Sequence, residues 1–194
     1  MDAKHLLRQH IAKTVALTDE QFEHVYAHFE PLSYKKGQAL IAEGDVVTSE
    51  FFVVQGCLKT FHLTNELKMF ILQFAMPTWW ASDYQALYSG QRATVGVDCV
   101  TDVELLRLSA ENREKLCHEL HDVERFFRWR TNWGYVAAHK RLLSFMSTDV
   151  RQRYEELLKQ YPLLYQFVPK NLIAAYLGVS RETLSRLYQS RHEA

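Results

Sequence analysis

Apolar residues near the start of the chain fall three or four apart. Val25, Phe29 and Leu32 continue a stripe that opens after Leu17-Thr18-Asp19-Glu20-Gln21-Phe22. Thr18 is placed to cap that helix, and Gln21, three residues on, completes a capping box. Between about 33 and 108 the rhythm changes. Short aromatic and β-branched runs appear: Ala39-Leu40-Ile41, Glu50-Phe51-Phe52-Val53-Val54, Leu58 to Leu63, Lys68 to Phe74, Ala93 to Val97 and Glu104 to Leu108. Turns divide them at Lys36-Gly37, Glu43-Gly44-Asp45, Gln55-Gly56, Thr64-Asn65-Glu66 and Ser89-Gly90. Many short strands at roughly 8–12 residue spacing predict a sandwich or barrel.

Helical spacing returns at Ser109. Leu116, Leu120, Val123, Phe127, Arg130 and Ala137 follow it, and Phe126, Trp129, Trp133, Val136 and Leu143 widen the stripe. A helix over about 119–146 would be roughly 40 Å long at ~1.5 Å per residue. A small domain does not cover such a helix alone, and a second copy of the same helix is the simplest partner for its aromatic seam. The competing reading packs the seam on the chain's own strands. Val123, Phe127, Arg130, Trp133 and Ala137 are the candidate dimer-helix residues.

Ser147-Thr148-Asp149 supplies capping chemistry for a fresh helix running to about Lys159, which Tyr161-Pro162 ends. The stretch Lys170 to Tyr188 is the most informative. With Lys170 as position one, a small residue (Ala174) stands at five, glycine (Gly178) at nine and an apolar residue (Leu184) at fifteen. That is the requirement of a helix-turn-helix: close helices, a left-handed turn and an anchored second helix. Ile173, Leu177, Val179 and Leu187 supply further apolar contacts, Pro169 the helix entry and Ser180 a cap for the second helix. On that second helix Arg181, Glu182, Ser185 and Arg186 share the face opposite Leu184 and Leu187. The N-terminal turns of a recognition helix enter the major groove. Arginine there pairs with guanine and glutamate accepts from cytosine, each good pair worth about 1–3 kcal/mol of discrimination. Lys170, Ser180 and Thr183 are candidate phosphate contacts, which orient the helix without reading sequence. The competing reading is a solvated face with internal ion pairs.

Composition narrows the choice. The 194 residues balance 23 basic against 23 acidic side chains. The balance is uneven along the chain: 14 basic and 18 acidic up to residue 136, then 9 basic and 5 acidic. The basic end suits an anionic partner. An apolar fraction of 47% supports a packed core. No apolar run is long enough to span a bilayer, and the polar Met1 to His10 is unlike a signal peptide. Cys57, Cys99 and Cys117 are odd in number and widely spaced, as in a reducing cytoplasm. His24 and His28, four apart on one helix face, have the spacing of two zinc ligands, but no third is in view and the ordinary reading is exposed helical histidines, so no metal is expected. His118 and His121 are weaker still. No nucleophile-elbow, Walker or zincin motif appears, so no enzymatic activity and no cofactor is expected.

A glycine-punctuated strand region, a long helix and a terminal Leu177-Gly178-Val179-Ser180-Arg181-Glu182-Thr183-Leu184-Ser185-Arg186 resemble the Crp/Fnr family of bacterial transcription regulators. The resemblance spans about 18–190, with Gly37, Glu43-Gly44-Asp45 and Gln55-Gly56 similar to that family's β-roll turns. It implies a homodimer along the long helix, an effector held in each roll, and two DNA half-sites roughly 34 Å apart. It also implies where the effector would sit. Cyclic-nucleotide binders of the family carry Phe-Gly-Glu and, nine residues after the Glu, an Arg preceded by Pro. The matching runs here are Ala81-Ser82-Asp83 and Gln91-Arg92-Ala93. Asp83 and Arg92 keep acid and base at the family's spacing, but Ser82 replaces the glycine and Gln91 the proline. Aligned on Arg141-Leu142, the polar pair that meets the purine becomes Phe126-Phe127, whose rings would fill a nucleotide pocket. Ser82, Asp83, Arg92, Ala93, Phe126 and Phe127 are thus the candidate effector residues; a mutual Asp83–Arg92 salt bridge, or surface charges at the edge of the roll, is the competing role. Trp79-Trp80 would wall a different ligand or pack in the core. The cysteine cluster of the oxygen-sensing branch is missing, since no cysteine precedes Cys57. Only Gln189 to Ala194 follow the second helix, too few for the family's wing, which shifts its phosphate contacts to basic residues such as Arg141, Arg151, Arg153, Lys170 and Arg191.

The expected fold is α+β: a double-stranded β-helix (jelly-roll) effector domain with the long helix over 1–146, then a helix-turn-helix domain over 147–194. The expected function is sequence-specific DNA binding as a cytoplasmic homodimer, responding to a ligand other than cAMP or to none, with RNA polymerase as a further partner. The alternatives are a sensor acting through protein contacts and a cyclic-nucleotide-responsive regulator.

Overall fold

The computed structural model describes residues 2–162 and 164–192. The chain separates into two compact units. Residues Met1–Thr60 and Phe74–Gly134 form the first, and Phe61–Gln73 with Tyr135–Ala194 the second. Sequence reading set a boundary at 146/147. The long helix His121–Ser147 ends there, while the compact units divide inside that helix, between Gly134 and Tyr135, and the second unit takes in Phe61–Gln73.

The first unit is built on β1 (Glu30–Tyr34), β2 (Ala39–Ile41), β3 (Ser49–Gln55), β4 (Leu58–Leu63), β5 (Met69–Ala75), β6 (Trp80–Ala81), β7 (Gly96–Cys99) and β8 (Val103–Ser109). Two four-stranded sheets result, ordered β1-β8-β3-β6 and β2-β7-β4-β5. The second half of β4, from Phe61, and most of β5, up to Gln73, belong to the second unit. Strand β3 shows how the sheets become a core. Phe51 and Val53 point into a cluster with Leu58, Ala81, Val97 and Leu105. Phe52 and Val54 point the other way, into a cluster with Leu106, Leu108, Leu116 and Phe126. Strand geometry alternates faces, so a strand buried on both sides reads as an unbroken apolar run. The β3–β4 turn depends on Gly56 at φ +88°, where a Cβ would collide with the Asp102 carbonyl oxygen.

Helices α1 (Ala3–Ala12), α2 (Asp19–Tyr26), α4 (Ala110–Glu119) and the start of α5 (His121–Ser147) close the outer face of the β1-β8-β3-β6 sheet, whereas the short α3 (Tyr84–Ser89) sends Ala86 into the cluster of Phe51 and Val53. The capping box of α2 forms as the sequence predicts: Gln21 N–H donates to Thr18 Oγ1, and Thr18 N–H to Gln21 Oε1. Ser109 caps α4 through Asn112 N–H. A break at Leu120, in extended conformation, separates α4 from α5.

Three elements differ from the sequence reading. Leu32 belongs to β1 rather than to a helical stripe. Pro31 has no N–H to continue a helix, and Glu30–Tyr34 pairs antiparallel with β8. The polar start of the chain forms α1, whose buried Leu6, Leu7 and Ile11 occupy one face among charged neighbours. The strand expected at Ala93 to Val97 begins only at Gly96, because Ala93 is tied to Asp45 and Gly44 instead.

The second unit adds α6 (Val150–Gln160), α7 (Leu164–Phe167), α8 (Lys170–Leu177) and α9 (Arg181–His192). Asp149 caps α6 through Gln152 N–H, and the Tyr161 N–H closes its last turn on Leu157. Tyr154, Leu157, Tyr161, Leu164, Val168, Ile173, Leu177 and Leu184 form its buried interior. Arg141 on α5 donates through Nη2 to the Ile71 and Tyr176 carbonyls at 2.8 and 3.0 Å and stacks over the Tyr176 ring.

Candidate functional site

Helix α8 ends where Gly178 turns left-handed at φ +73°. The Val179 N–H returns to the Ala174 carbonyl, the six-to-one bond of a Schellman cap. Ser180 then starts α9: its hydroxyl accepts from Thr183 N–H at 3.2 Å and meets the Thr183 hydroxyl. The two helices are thereby joined by Gly178, Val179 and Ser180 alone. Leu184 is buried beneath α9, and Arg181, Glu182, Ser185 and Arg186 are all exposed on it. A bond from Ser180 and the helix N-terminal amide hold the Glu182 carboxyl below its ordinary range, with Arg181 and Arg186 adding to this. A charged acceptor flanked by two guanidiniums is thus presented on one open helix face. Lys170 lies exposed at the first turn of α8. Lys68, Met69, Phe70, Asn171, Val179 and Arg181 line a cavity of about 250 Å³ beside the turn.

Of the basic residues expected to touch phosphate, Arg141, Arg151 and Arg153 have partners within the chain. Arg141 is bound to backbone carbonyls. Arg153 donates to the Thr148 carbonyl at 2.5 Å and lies over Phe145. Arg151 pairs with Glu155 one turn along. The Arg191 side chain lies outside the described residues.

In the first unit, the expected effector residues are engaged by the fold. Asp83 is 3% exposed and caps α3 through Ala86 N–H. Its second oxygen accepts from the N–H groups of Thr94 and Val95. Arg92 is exposed and donates to the Gly44 carbonyl, so no ion pair joins it to Asp83. Ser82 is buried and donates to the Ser49 carbonyl. Ala93 is buried beside the Gly44 turn. Phe126 and Phe127 sit in the helix-side core with Phe52 and Trp80. The Asp83 carboxylate is thus bonded within the fold, and the Phe126 and Phe127 rings are part of the helix-side core.

The long helix divides its seam. Val123 and Phe127 are buried in their own unit, and Arg130 turns inward. Trp133 and Ala137 are exposed. The open face is marked by Trp129, Trp133, Val136 and Leu143, spaced four, three and seven apart around Lys140. That is a heptad-like spacing.

His24 pairs with Glu119 at 2.7 Å, and His28 Nδ1 meets the His24 carbonyl. Among the described residues no three His, Cys, Asp or Glu groups are placed to hold a metal ion, and no helix is long and apolar enough to cross a membrane.

The structure also assembles a group that sequence reading did not join. Glu50 on β3, Tyr84 on α3, Arg113 on α4 and Arg130 on α5 meet in the first unit. Arg130 Nη2 donates to Glu50 Oε2 at 2.6 Å, and Arg113 Nη1 approaches Glu50 Oε1 at 3.5 Å. Tyr84 donates to Glu50 and accepts from Arg130, both at 3.3 Å. Burial pushes the Tyr84 hydroxyl up to about 12. One signal was available: Glu50 opens an apolar run and shares the inward face of Phe52 and Val54.

Comparison with known proteins agrees with this architecture. Residues 31–119 match the cyclic nucleotide-binding domain family. FixK2 from Bradyrhizobium japonicum superposes with a TM-score of 0.74 at 19% identity, covering 85% of each chain. CLP from Xanthomonas campestris, described as a c-di-GMP responsive global regulator, gives 0.73 at 14% identity over 91% of this chain and 92% of that one. A CooA mutant from Carboxydothermus hydrogenoformans gives 0.69 at 17% identity, covering 96% and 84%. No curated protein sequence matches the chain. The chain thus has a match to the cyclic nucleotide-binding domain over 31–119, followed by helices, and a fold like that of these solved regulators.

Proposed function

We propose that this chain is a sequence-specific DNA-binding transcription regulator of the Crp/Fnr type, acting as a homodimer. Its effector domain spans 1–146 and its helix-turn-helix domain 147–194. The observation that carries the reading is the open face of α9, where Arg181, Glu182, Ser185 and Arg186 stand clear of the interior that holds Leu184. These four read base edges in the major groove, and Lys170 and Thr183 hold phosphates. Ser180 contributes mainly by fixing the start of α9. The exposed Trp129, Trp133, Val136 and Leu143 face receives a second copy, which sets the spacing of the two readers. The positive balance of the C-terminal third supports a nucleic acid over a protein as the partner of that end.

The chain responds to a ligand other than cAMP or to none, a reading supported by the bonds that tie Asp83 to α3 and to Thr94 and Val95. Such a ligand would act by differing affinity for DNA-competent and incompetent dimers. RNA polymerase is the protein partner this reading implies. The test is Arg186→Ala against a duplex selected by the wild type from a random pool, at fixed salt. Loss of affinity by roughly tenfold or more with relaxed base preference supports the reading role, given about 1–3 kcal/mol per bidentate contact. Unchanged affinity and preference would remove Arg186 from it.

A further inference from the structure

The cluster around Glu50 is unbalanced. It holds two guanidiniums and one carboxylate, with side-chain exposures of 12% for Arg113, 14% for Arg130 and 1% for Glu50. Buried ions are expensive unless each is paired and its hydrogen bonds are satisfied. Glu50 satisfies Arg130: both of that residue's terminal nitrogens are bonded, one to the carboxylate and one to Tyr84. Arg113 is held less fully. Its Nη1 stands 3.5 Å from Glu50 Oε1, an ion pair too long for a good hydrogen bond, and Arg113 Nε, Arg113 Nη1 and Glu50 Oε1 are all buried without a hydrogen-bond partner. The Cys117 thiol is its remaining polar neighbour. Arg130 Nε is likewise buried and unpartnered.

We propose that Arg113 is the anchor of a binding site for a small oxyanion, a carboxylate or a phosphate-class group, with Arg130 as its supporting charge. One negative charge would neutralise the cluster, and guanidinium N–H groups make strong charge-assisted bonds to carboxylate and phosphate oxygens. The walls are aromatic. Arg113 lies 4.7 Å from the Phe127 ring centroid and 5.2 Å from that of Tyr88, and Arg130 lies over Phe127 and Trp80. Tyr88 is 54% exposed, which puts the Arg113 end of the cluster next to solvent. Glu50 is the internal competitor of the anion, since both seek the same cations. The site lies wholly within the first unit and stands whether or not the chain binds DNA. It is also separate from Asp83 and Arg92, which the fold already engages.

The test is thermal unfolding of the full chain while chloride is replaced stepwise by acetate or by phosphate at constant ionic strength. The proposal expects a saturable rise in Tm, because a ligand of the folded state stabilises it by mass action. Preference for acetate or for phosphate tells which oxyanion class the site takes. Glu50→Gln should lower the half-saturating concentration about tenfold, the scale of one charge-assisted hydrogen bond. Arg113→Met should remove the saturable rise, and Arg113→Lys, which keeps the charge without the fork, should weaken it. Should Arg113→Met fail to fold, the Glu50→Gln and Arg113→Lys shifts decide the matter. A Tm that ignores which anion is present, or half-saturation unmoved in Glu50→Gln and Arg113→Lys, would overturn the proposal.

Discussion

Glu50 and Arg130 are 80 residues apart in the chain and 2.6 Å apart at Oε2 and Nη2, in a setting where the carboxylate is 1% exposed. The bond fastens the long helix to a central strand at the one inward position of β3 that is charged. Removing the carboxylate by Glu50→Ala leaves two buried cations unpaired. Breaking one side of a buried ion pair costs about 3–5 kcal/mol. Urea denaturation should show a loss on that scale. A change under about 1 kcal/mol would mean that water already neutralises the cluster, within the range of exposed pairs.

His10 on α1 gives a pH signature. Its ring packs against Phe52 and Phe126, and Trp80 Nε1 donates to its Nε2 at 3.3 Å. Burial, then Lys13 and Arg130, hold its pKa down from 6.5 to about 4. Below about 6.5 the unfolded chain binds a proton that the folded chain refuses. Stability from this residue is therefore full above 6.5, falls as pH drops towards 4, and levels below that. His10→Gln keeps an acceptor for Trp80 and does not titrate. Wild type should lose stability relative to it across that window; parallel pH curves would contradict the assignment.

Gly178 sets the turn between α8 and α9. At φ +73° a side chain is strained, and a Cβ there would meet Phe145 Cε1 at 3.2 Å. Gly178→Ala should cost about 1–2 kcal/mol from the left-handed backbone alone. The loss should appear in hydrogen exchange of α8 and α9, with the β3 and β8 amides unchanged. Equal loosening of the strands would show that the two units do not open independently.

The open face of α5 predicts the oligomeric state. Trp133→Glu places a charge in the middle of the apolar spacing of Trp129, Val136 and Leu143. Sedimentation should report a dimer for the wild type and a monomer for the variant, with the circular dichroism of the fold retained. A monomeric wild type at micromolar concentration would remove the seam from the account.

Much of this was legible in the sequence because the signals were local. The Thr18–Gln21 capping box, the Asp149 and Ser180 caps and the Gly178 turn each lie within a few residues, and the structure shows the same bonds. Strands β3, β4 and β8 announced themselves as short runs rich in aromatic and β-branched residues between turns. The site roles on α9, by contrast, concern a partner that the sequence can only suggest. What the sequence hid was long-range. Asp83 matched a ligand-binding spacing, but its oxygens are taken by Ala86, Thr94 and Val95, which only folding brings round it. Phe127 fitted a dimer seam by periodicity, yet the break at Leu120 turns that side of α5 onto the sheet. Glu50, Arg113 and Arg130 come from a strand and two helices with no common motif, so their meeting had no sequence signature.

The central claim is that α9 carries DNA-reading side chains, and the salt dependence of duplex binding tests it most directly. Fluorescence anisotropy of the full chain with a labelled duplex, repeated over a series of salt concentrations, should give log affinity falling linearly with log salt. The slope should be about −0.9 for each phosphate neutralised. Absence of binding even at low salt, or an affinity indifferent to salt, would contradict the account.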